Sequence, residues 1–415
     1  MSKFSVCISL CLLALGSSFA SAQSATHATR QPIAVPSGYF ATLKAAPKHT
    51  ASNKLSAATN AATANADPRI VSVPNFTSSF IFGGVTYPYT MVGQNPKARQ
   101  TTVVPTTYVP MSFFFDEFVD QNGNNITIDT TAITKEIKNS PLFENSSYAT
   151  GNTQFEDAVM RAEFYPLFNK NGDNDGDDNY HVLLGTPQTL TPVTIEVPVG
   201  SSVLYEDGNG TFFAVIDINF INSQLNTLTQ TEGISVQSIP IFLTRNAVYG
   251  DFLSGMWIDC CIGGYHGAFE VNSTASKIFV QTFAFSTSLD ADVADAIFLD
   301  PGIFADVNAL SHELGETFND PFTNNATPNY QLPGAPAGTC QNILEVGDVV
   351  ENLTPDYTDV TVDGFTYHPQ TLGLLQWFEG ISPSNAINGD YSFPDSTRLT
   401  APFTPCPTSY ALRRP

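Results

Sequence analysis

Residues 306–321 read DVNALSHELGETFNDP, and their pattern is typical of an amphipathic helix. Apolar residues recur three or four positions apart, which places them on one face of a helix. The stripe consists of Val307, Leu310, Leu314 and Phe318. His312 and Glu316 lie four positions apart on a different face, so the pattern brings an imidazole and a carboxylate side by side.

This helix contains an H-E-x-x-E sequence, with Glu313 directly after His312. In the related H-E-x-x-H pattern, two histidines one turn apart hold zinc and the glutamate is the general base. Glu316 stands where the second histidine would be, and a carboxylate oxygen binds zinc at nearly the same bond length. The sequence therefore predicts His312 and Glu316 as metal ligands and Glu313 as a catalytic base. The alternative interpretation is a surface helix with ordinary acidic residues.

Two ligands on one helix leave a zinc site incomplete, so other segments must supply further donors. Glu345 and Asp348, in a Glu-Val-Gly-Asp sequence after the helix, are candidates. His266, in a glycine-rich segment before the helix, is another candidate ligand. Tyr265, His266 and His368 are candidates for stabilising an oxyanion.

The N-terminus has the order of a secretory signal peptide. Lys3 precedes an apolar run from Val6 to Leu15, and small residues ending in Ala22 follow. Residues 1–22 are therefore predicted to be a signal peptide, and residues 23–68, rich in Ala, Ser and Thr, a flexible linker. Residues 69–415 are predicted to form a single globular metallopeptidase-like domain, or two closely joined lobes. The protein is expected to be secreted, to the extracellular space or the periplasm.

The composition excludes some partners. Acidic residues outnumber basic ones 39 to 17, so no Lys/Arg stripe is available to neutralise nucleic-acid phosphates. No later segment approaches the roughly 20 apolar residues that a membrane span requires. An extracellular polypeptide or cell-wall material is the expected substrate, and the sequence leaves the oligomeric state open.

A second cation site is predicted in the acidic segment at residues 169–179, NKNGDNDGDDN. Asp173, Asp175 and Asp177 alternate with other residues and offer the hard oxygen donors that calcium prefers. The segment lacks the glycine and the closing glutamate of an EF-hand loop. A solvated acidic insertion is the alternative.

Cysteine usage agrees with export. Four cysteines remain after the signal peptide, namely Cys260, Cys261, Cys340 and Cys406. An even number in an oxidising compartment predicts two disulfides. Because adjacent cysteines bond to each other only through a strained ring, Cys260 and Cys261 are expected to pair separately with Cys340 and Cys406.

Regular elements can be predicted from β-branched and aromatic runs and from helical periodicity. The expected strands are Phe76 to Tyr89, Gln100 to Phe115, Thr191 to Val199, Thr211 to Phe220, Ser238 to Thr244 and Lys277 to Thr287. The expected helices are Thr153 to Phe164, part of Asn222 to Thr229, the H-E-x-x-E segment and Pro369 to Phe378. The predicted class is α+β, with a strand-rich N-terminal half and a zincin-like metal-binding helix in the C-terminal half.

Four segments resemble a family of secreted bacterial H-E-x-x-E proteins. They are Gly264-Tyr265-His266, Leu310 to Glu316 with Asn319-Asp320-Pro321, Cys340-Gln341-Asn342 with Leu344 to Asp348, and Thr366-Tyr367-His368 before Trp377-Phe378. That family is distantly similar to the plant phosphate-induced, EXORDIUM-like extracellular proteins. The resemblance covers roughly Phe76 to the C-terminus and implies a zincin-like helix, with His312 and Glu316 as ligands and Glu313 as the base. The plant relatives are associated with cell-wall and growth roles.

These observations predict a secreted zinc-dependent hydrolase, most simply an endopeptidase that uses a metal-activated water. The alternative is a non-enzymatic extracellular protein that binds the cell wall or carbohydrate and holds a structural metal. A catalytic zinc keeps a coordination position open for water, whereas a structural zinc closes its shell with protein ligands.

Overall fold

The computed structural model describes residues 69–120, 122–169, 179–206, 210–253, 256–290, 293 and 306–407, without the side chains of residues 253 and 256–260. The predicted signal peptide, the linker and the calcium segment with Asp173, Asp175 and Asp177 lie outside the described residues, so these predictions stay untested.

Strands predominate over helices in the described chain. The strands of the first half are β1 Ile70–Val71, β2 Asn75–Phe82, β3 Val85–Val92, β4 Thr101–Val104, β5 Thr106–Val119, β6 Asn125–Ile128, β7 Ser146–Tyr148, β8 Gly151–Thr153, β9 His181–Leu184, β10 Gln188–Thr189, β11 Val193–Glu196 and β12 Ser202–Glu206. Those of the second half are β13 Phe212–Asp217, β14 Ile239–Arg245, β15 Ala247–Leu253, β16 Met256–Ile262, β17 Gly264–Glu270, β18 Ile278–Ser288, β19 Ala326–Gln331, β20 Cys340–Ile343, β21 Val360–Val362, β22 Phe365–Tyr367, β23 Leu372–Gly373 and β24 Ser392–Phe393.

The α-helices are few and mostly short. They are α1 Ile133–Lys138, α2 Phe155–Glu163, α3 Tyr165–Phe168, α4 Ile218–Thr231, α5 Asn308–Asn319, α6 Asp348–Glu351 and α7 Leu375–Glu379. Single 3₁₀ turns occupy Pro96–Ala98 and Ile387–Gly389. Among the described residues, no helix is long and apolar enough to cross a membrane.

A mixed sheet of eight strands forms the centre of the molecule. Its main path runs β1, β18, β14, β5, β10, and every neighbouring pair on that path is parallel. β11 pairs with β5 in parallel, whereas β6 and β17 pair antiparallel with β5 and β18. A separate sheet of four strands has the order β12, β13, β15, β16.

The central sheet separates the two largest apolar clusters because successive side chains of a strand point to opposite faces. In β14, Ile241 and Leu243 belong to one cluster, whereas Phe242 belongs to the other. Leu310, in α5, joins the cluster of Ile241. The helix therefore packs on one face of the sheet, and its contacts are mainly with β18 and β17.

Helix α5 is buried along its whole length, including its polar residues. The apolar stripe of Leu310, Leu314 and Phe318 enters the core, as the periodicity predicts. His312 and Glu316 are also inaccessible to solvent, with exposed fractions of 5% and 4%. The surface-helix interpretation is therefore wrong, because both faces of the helix are covered.

The chain is a strand-rich mixed α/β protein, consistent with the predicted α+β class. The predicted strand from Phe76 to Tyr89 is in fact a hairpin of β2 and β3, which turns at Gly83 and Gly84 with positive φ at both glycines. The predicted helix from Pro369 is wrong over its first half, because β23 occupies Leu372–Gly373 and α7 begins only at Leu375.

The predicted pairing of the cysteines needs a correction. Cys340 and Cys406 form a disulfide with each other, which ties β20 to the last described residues. Neither of them is therefore available to Cys260 or Cys261. Cys261 is disulfide-bonded as well, and the side chain of Cys260 lies outside the described part of the chain.

Candidate metal centre

Three segments that are distant in sequence bring six ionisable side chains together. Helix α5 contributes His312, Glu313 and Glu316, and β17 contributes His266. The segment from the end of β20 into α6 contributes Glu345 and Asp348. The sequence predicts all six as site residues, and ion-pair contacts of 3.2 to 3.9 Å connect them.

The register of β17 explains why His266 points at α5. His266 lies opposite Ala284, which belongs to the apolar cluster on the α5 side of the sheet. Tyr265 lies opposite Phe285, which belongs to the other cluster. The Tyr265 hydroxyl donates to Asn222 of α4, so this side chain is engaged on the opposite face from His266.

His312, Glu316 and Asp348 form the first group of donors that could hold a metal ion. The distance from His312 Nε2 is 3.2 Å to Glu316 Oε1 and 3.6 Å to Asp348 Oδ1. For a tetrahedral zinc with bonds of about 2.1 Å, neighbouring ligand atoms lie about 3.4 Å apart. The observed separations are close to that value, so the group fits a small cation without large rearrangement.

The tautomer of His312 favours this role. The Gln370 amide group donates from Nε2 to the Gly347 carbonyl at 2.9 Å, so its Oε1 is left to accept from His312 Nδ1 at 2.8 Å. With one ring proton on Nδ1, Nε2 is the nitrogen that faces the oxygens of Glu316 and Asp348, and in the neutral ring its lone pair can bind a cation. A histidine held in this way by an outer hydrogen bond is typical of metal ligands.

Glu316 and Asp348 are also held in place. Glu316 Oε1 accepts from the backbone N–H groups of Gly347 and Asp348, at 3.1 and 3.3 Å. Asp348 Oδ2 accepts from Gln341 Nε2 at 2.7 Å, which leaves Oδ1 facing His312. The Glu-Val-Gly-Asp segment therefore both supplies a ligand and fixes the orientation of another.

His266, Glu313 and Glu316 form a second group of donors. His266 Nδ1 lies 3.2 Å from Glu316 Oε2 and 3.8 Å from Glu313 Oε2. Glu345 belongs to neither group, and its ion-pair contact runs from Oε2 to His266 Nε2 at 3.9 Å. Its side chain is 13% exposed, the largest exposure in the cluster.

The cluster buries histidines and carboxylates close together, so each group shifts the pKa values of the others. Burial alone would lower the pKa of both His266 and His312, but the neighbouring carboxylates raise both values well above the usual range. Burial acts to raise the pKa of Glu316, yet the two histidines hold it well below its usual value. Without a cation, the imidazolium form of each histidine would take over part of the charge balance.

The pKa values of the remaining carboxyl groups are raised, in contrast to that of Glu316. Burial, reinforced by the charge of Glu316, raises the pKa of Glu345 well above its usual range and that of Asp348 to about 7. Burial also raises the pKa of Glu313, although the two histidines oppose the shift. Perturbed values of this kind concentrate at functional sites, which makes the cluster the leading candidate site.

Several residues that shape the site are not predicted from the sequence. Gln370 and Gly347 act through backbone and amide hydrogen bonds, which no ligand motif reveals. Glu156 of α2 is buried and lies beside Gly315, and within the described part of the chain neither of its carboxylate oxygens has a hydrogen-bond partner. Its place seven residues before Glu163 on α2 is a signal in the sequence that could have indicated two buried acids on one helix face.

Two other histidines have partners elsewhere. His368 Nδ1 contacts Asp306 Oδ2 at 2.7 Å, and its ring is 30% exposed. His181, in β9, contacts Asp157 Oδ2 through Nδ1 at 2.7 Å. Neither residue belongs to the two donor groups.

The chain matches no protein-family model, and neither a curated protein nor a solved structure is significantly similar to it. The resemblance to secreted H-E-x-x-E proteins therefore stays a prediction, and the geometry of the cluster is the observation that bears on function.

Proposed function

We propose that the protein is a secreted, zinc-dependent hydrolase, most simply an endopeptidase. The observation that carries the proposal is the His312 ring, whose Nδ1 is fixed by Gln370 while Nε2 faces Glu316 and Asp348. A cation would bind Nε2 of the neutral ring together with the two carboxylate oxygens, whereas without a cation the raised pKa of His312 places a proton on Nε2 instead. The three donors, already held at ligand separations by their outer hydrogen bonds, support a metal site.

Zinc is the cation that this donor set favours. One imidazole nitrogen and two carboxylate oxygens match the ligand types that zinc accepts, and three protein donors with one open position are typical of catalytic zinc. Hard cations such as calcium instead take six to eight oxygen ligands. A bound zinc would supply an activated water and polarise a carbonyl group.

Residues of the chain itself would carry out the proton transfer and define the access to the site. Glu313 follows His312 around the helix and lies on the His266 side of Glu316, so its carboxylate can accept a proton from water and deliver it to a leaving amine. Its raised pKa brings it closer to neutral pH, where a general base is most effective. Glu345, the most exposed member, marks the side from which solvent and substrate would reach the cluster.

One observation favours a second candidate function, a non-enzymatic extracellular protein with a structural metal. His312, Glu313, Glu316 and Asp348 are all at most 5% exposed, which is more enclosed than a site that must admit a polypeptide chain. In this alternative the metal stabilises the fold, and binding to the cell wall or to carbohydrate takes place elsewhere on the surface.

Glu313→Gln separates the two functions. The hydrolase proposal expects casein cleavage by the mature chain to fall about 10²- to 10⁴-fold, the usual contribution of a general base. The zinc held by His312, Glu316 and Asp348 should remain. Glu163→Gln is the matched control, because Glu163 is an equally buried glutamate outside both donor groups.

Equal turnover by wild type and Glu313→Gln would overturn the catalytic assignment. Absence of turnover by wild type carrying one equivalent of zinc, over a broad pH range and with several unfolded substrates, would favour the structural-metal function instead.

A further inference from the structure

The two oxygens of Glu316 face different histidines. Oε1 lies 3.2 Å from His312 Nε2, and Oε2 lies 3.2 Å from His266 Nδ1. A carboxylate in this position can give one oxygen to each of two cations. Sites of this kind hold their two metals about 3.5 to 4 Å apart.

Each side of Glu316 has its own further donors. Asp348 completes the group around Oε1, and Glu313 completes the group around Oε2. Within each group the ligand atoms all lie within 4.8 Å of one another. The second group therefore meets the same distance limit as the first and shares only Glu316 with it.

The charge of the cluster also indicates more than one cation. Four carboxylates face the two histidines, and the described ion pairs of these carboxylates are with histidines alone: Glu313, Glu316, Glu345 and Asp348. With all four carboxylates ionised and both histidines neutral as ligands, the cluster carries four negative charges, which two divalent cations balance. With one cation and a protonated His266, one negative charge is left without a counter-charge, which is unfavourable in a buried site.

The other ring nitrogen of His266 gives a separate observation. His266 Nε2 is buried and has no hydrogen-bond partner among the described residues, and the side chain is only 5% exposed. Glu345 Oε2 lies 3.9 Å from this nitrogen. If Nδ1 binds a cation, the proton is on Nε2 and points at Glu345, which is the carboxylate–histidine–metal order common in metal sites.

We propose that His266, Glu313 and Glu316 hold a second divalent cation, so that Glu316 bridges a two-metal centre. The inference rests on the proposed function for the first cation, held by His312, Glu316 and Asp348. It assigns Glu345 the role of orienting His266 rather than of direct ligation. It also makes Glu313 a ligand whenever the second cation is bound, and a free base only when that cation is absent.

Metal stoichiometry tests the proposal. The full mature chain, stripped and then equilibrated with Zn²⁺, is expected to retain two equivalents by elemental analysis after dialysis. His266→Gln and Glu313→Gln should each retain one. His181→Gln is the matched control and should retain two, because His181 pairs with a buried carboxylate outside the centre.

A second measurement does not depend on any variant folding. Wild type loaded with Mn²⁺ should give the electron paramagnetic resonance spectrum of two exchange-coupled ions. An uncoupled spectrum, or one zinc per wild-type chain, overturns the second site and leaves the proposed function standing. No bound zinc overturns both, and two zinc ions retained by His266→Gln overturn the assignment of its ligands.

Discussion

Gly347→Ala is expected to weaken metal binding although Gly347 is not a ligand. The Gly347 backbone has φ −78° and ψ −46°, which alanine adopts without strain. The obstacle is space, because a Cβ at this position would lie 2.6 Å from both Cγ and Nδ1 of His312. Non-bonded carbon atoms prefer about 3.5 to 4.0 Å, so the ring must retreat by roughly 1 Å.

That displacement is large compared with what a metal site tolerates. Ligand distances that depart by more than about 0.2 Å from ideal values already mark a poor site. Moving the ring also stretches the bond from His312 Nδ1 to Gln370, and loss of such outer contacts typically costs 10- to 100-fold in metal affinity. We therefore expect zinc affinity to fall by that factor, about 1.4 to 2.8 kcal/mol.

Competition with a chromophoric chelator measures the affinity, and thermal unfolding in excess chelator measures the fold alone. Overpacking should cost the metal-free protein about 1 to 3 kcal/mol. Gly185→Ala is the control, because its Cβ would meet the Val104 carbonyl oxygen at 3.2 Å, far milder crowding that involves no residue of the cluster. Zinc affinity within twofold of wild type for Gly347→Ala would refute the claim that the packed His312 ring is a ligand.

Two further predictions concern stability. Burial raises the pKa of Glu163 to about 8 in the folded protein, whereas its value in the unfolded chain is about 4.3. The stability that Glu163 contributes is therefore complete below about pH 4.3 and is lost as the pH rises to about 8, at up to about 1.4 kcal/mol per pH unit. Glu163→Gln should reduce this dependence of the unfolding free energy on pH and be more stable than wild type at pH 8. Urea unfolding at several pH values would contradict the assignment if the free energy of unfolding of both proteins changed equally with pH. Cys406→Ser removes a bridge that spans 66 residues, for which chain entropy gives about 4 kcal/mol; a melting temperature unchanged from wild type would show that the bridge adds no stability.

Much of the site was predictable because its chemistry is local in sequence. His312, Glu313 and Glu316 are recognisable from helical spacing alone, and Glu345 and Asp348 stand out as acids beside a cysteine and a glycine. Their division into two groups that share Glu316 was not predictable. It depends on the register of β17 against β18, which sets the face from which His266 reaches the helix.

The fold likewise includes features that local sequence patterns do not predict. Amphipathic periodicity located α5, but burial of its polar face depends on segments that arrive from far along the chain, including the one with Gln370. Pairing of Cys340 with Cys406 likewise depends on how close β20 lies to the C-terminal segment, through contacts such as the bridge between Tyr330 and Pro405. Sequence spacing carries no information about such long-range approach.

Metal content of the purified protein, never exposed to chelator, tests the central claim most directly. Glu316 belongs to both donor groups, so Glu316→Gln is the decisive variant and Glu163→Gln its matched control. Wild type and control should carry at least one equivalent of transition metal, and Glu316→Gln should carry almost none. A wild type without bound metal, or a Glu316→Gln protein with as much metal as wild type, would contradict the account.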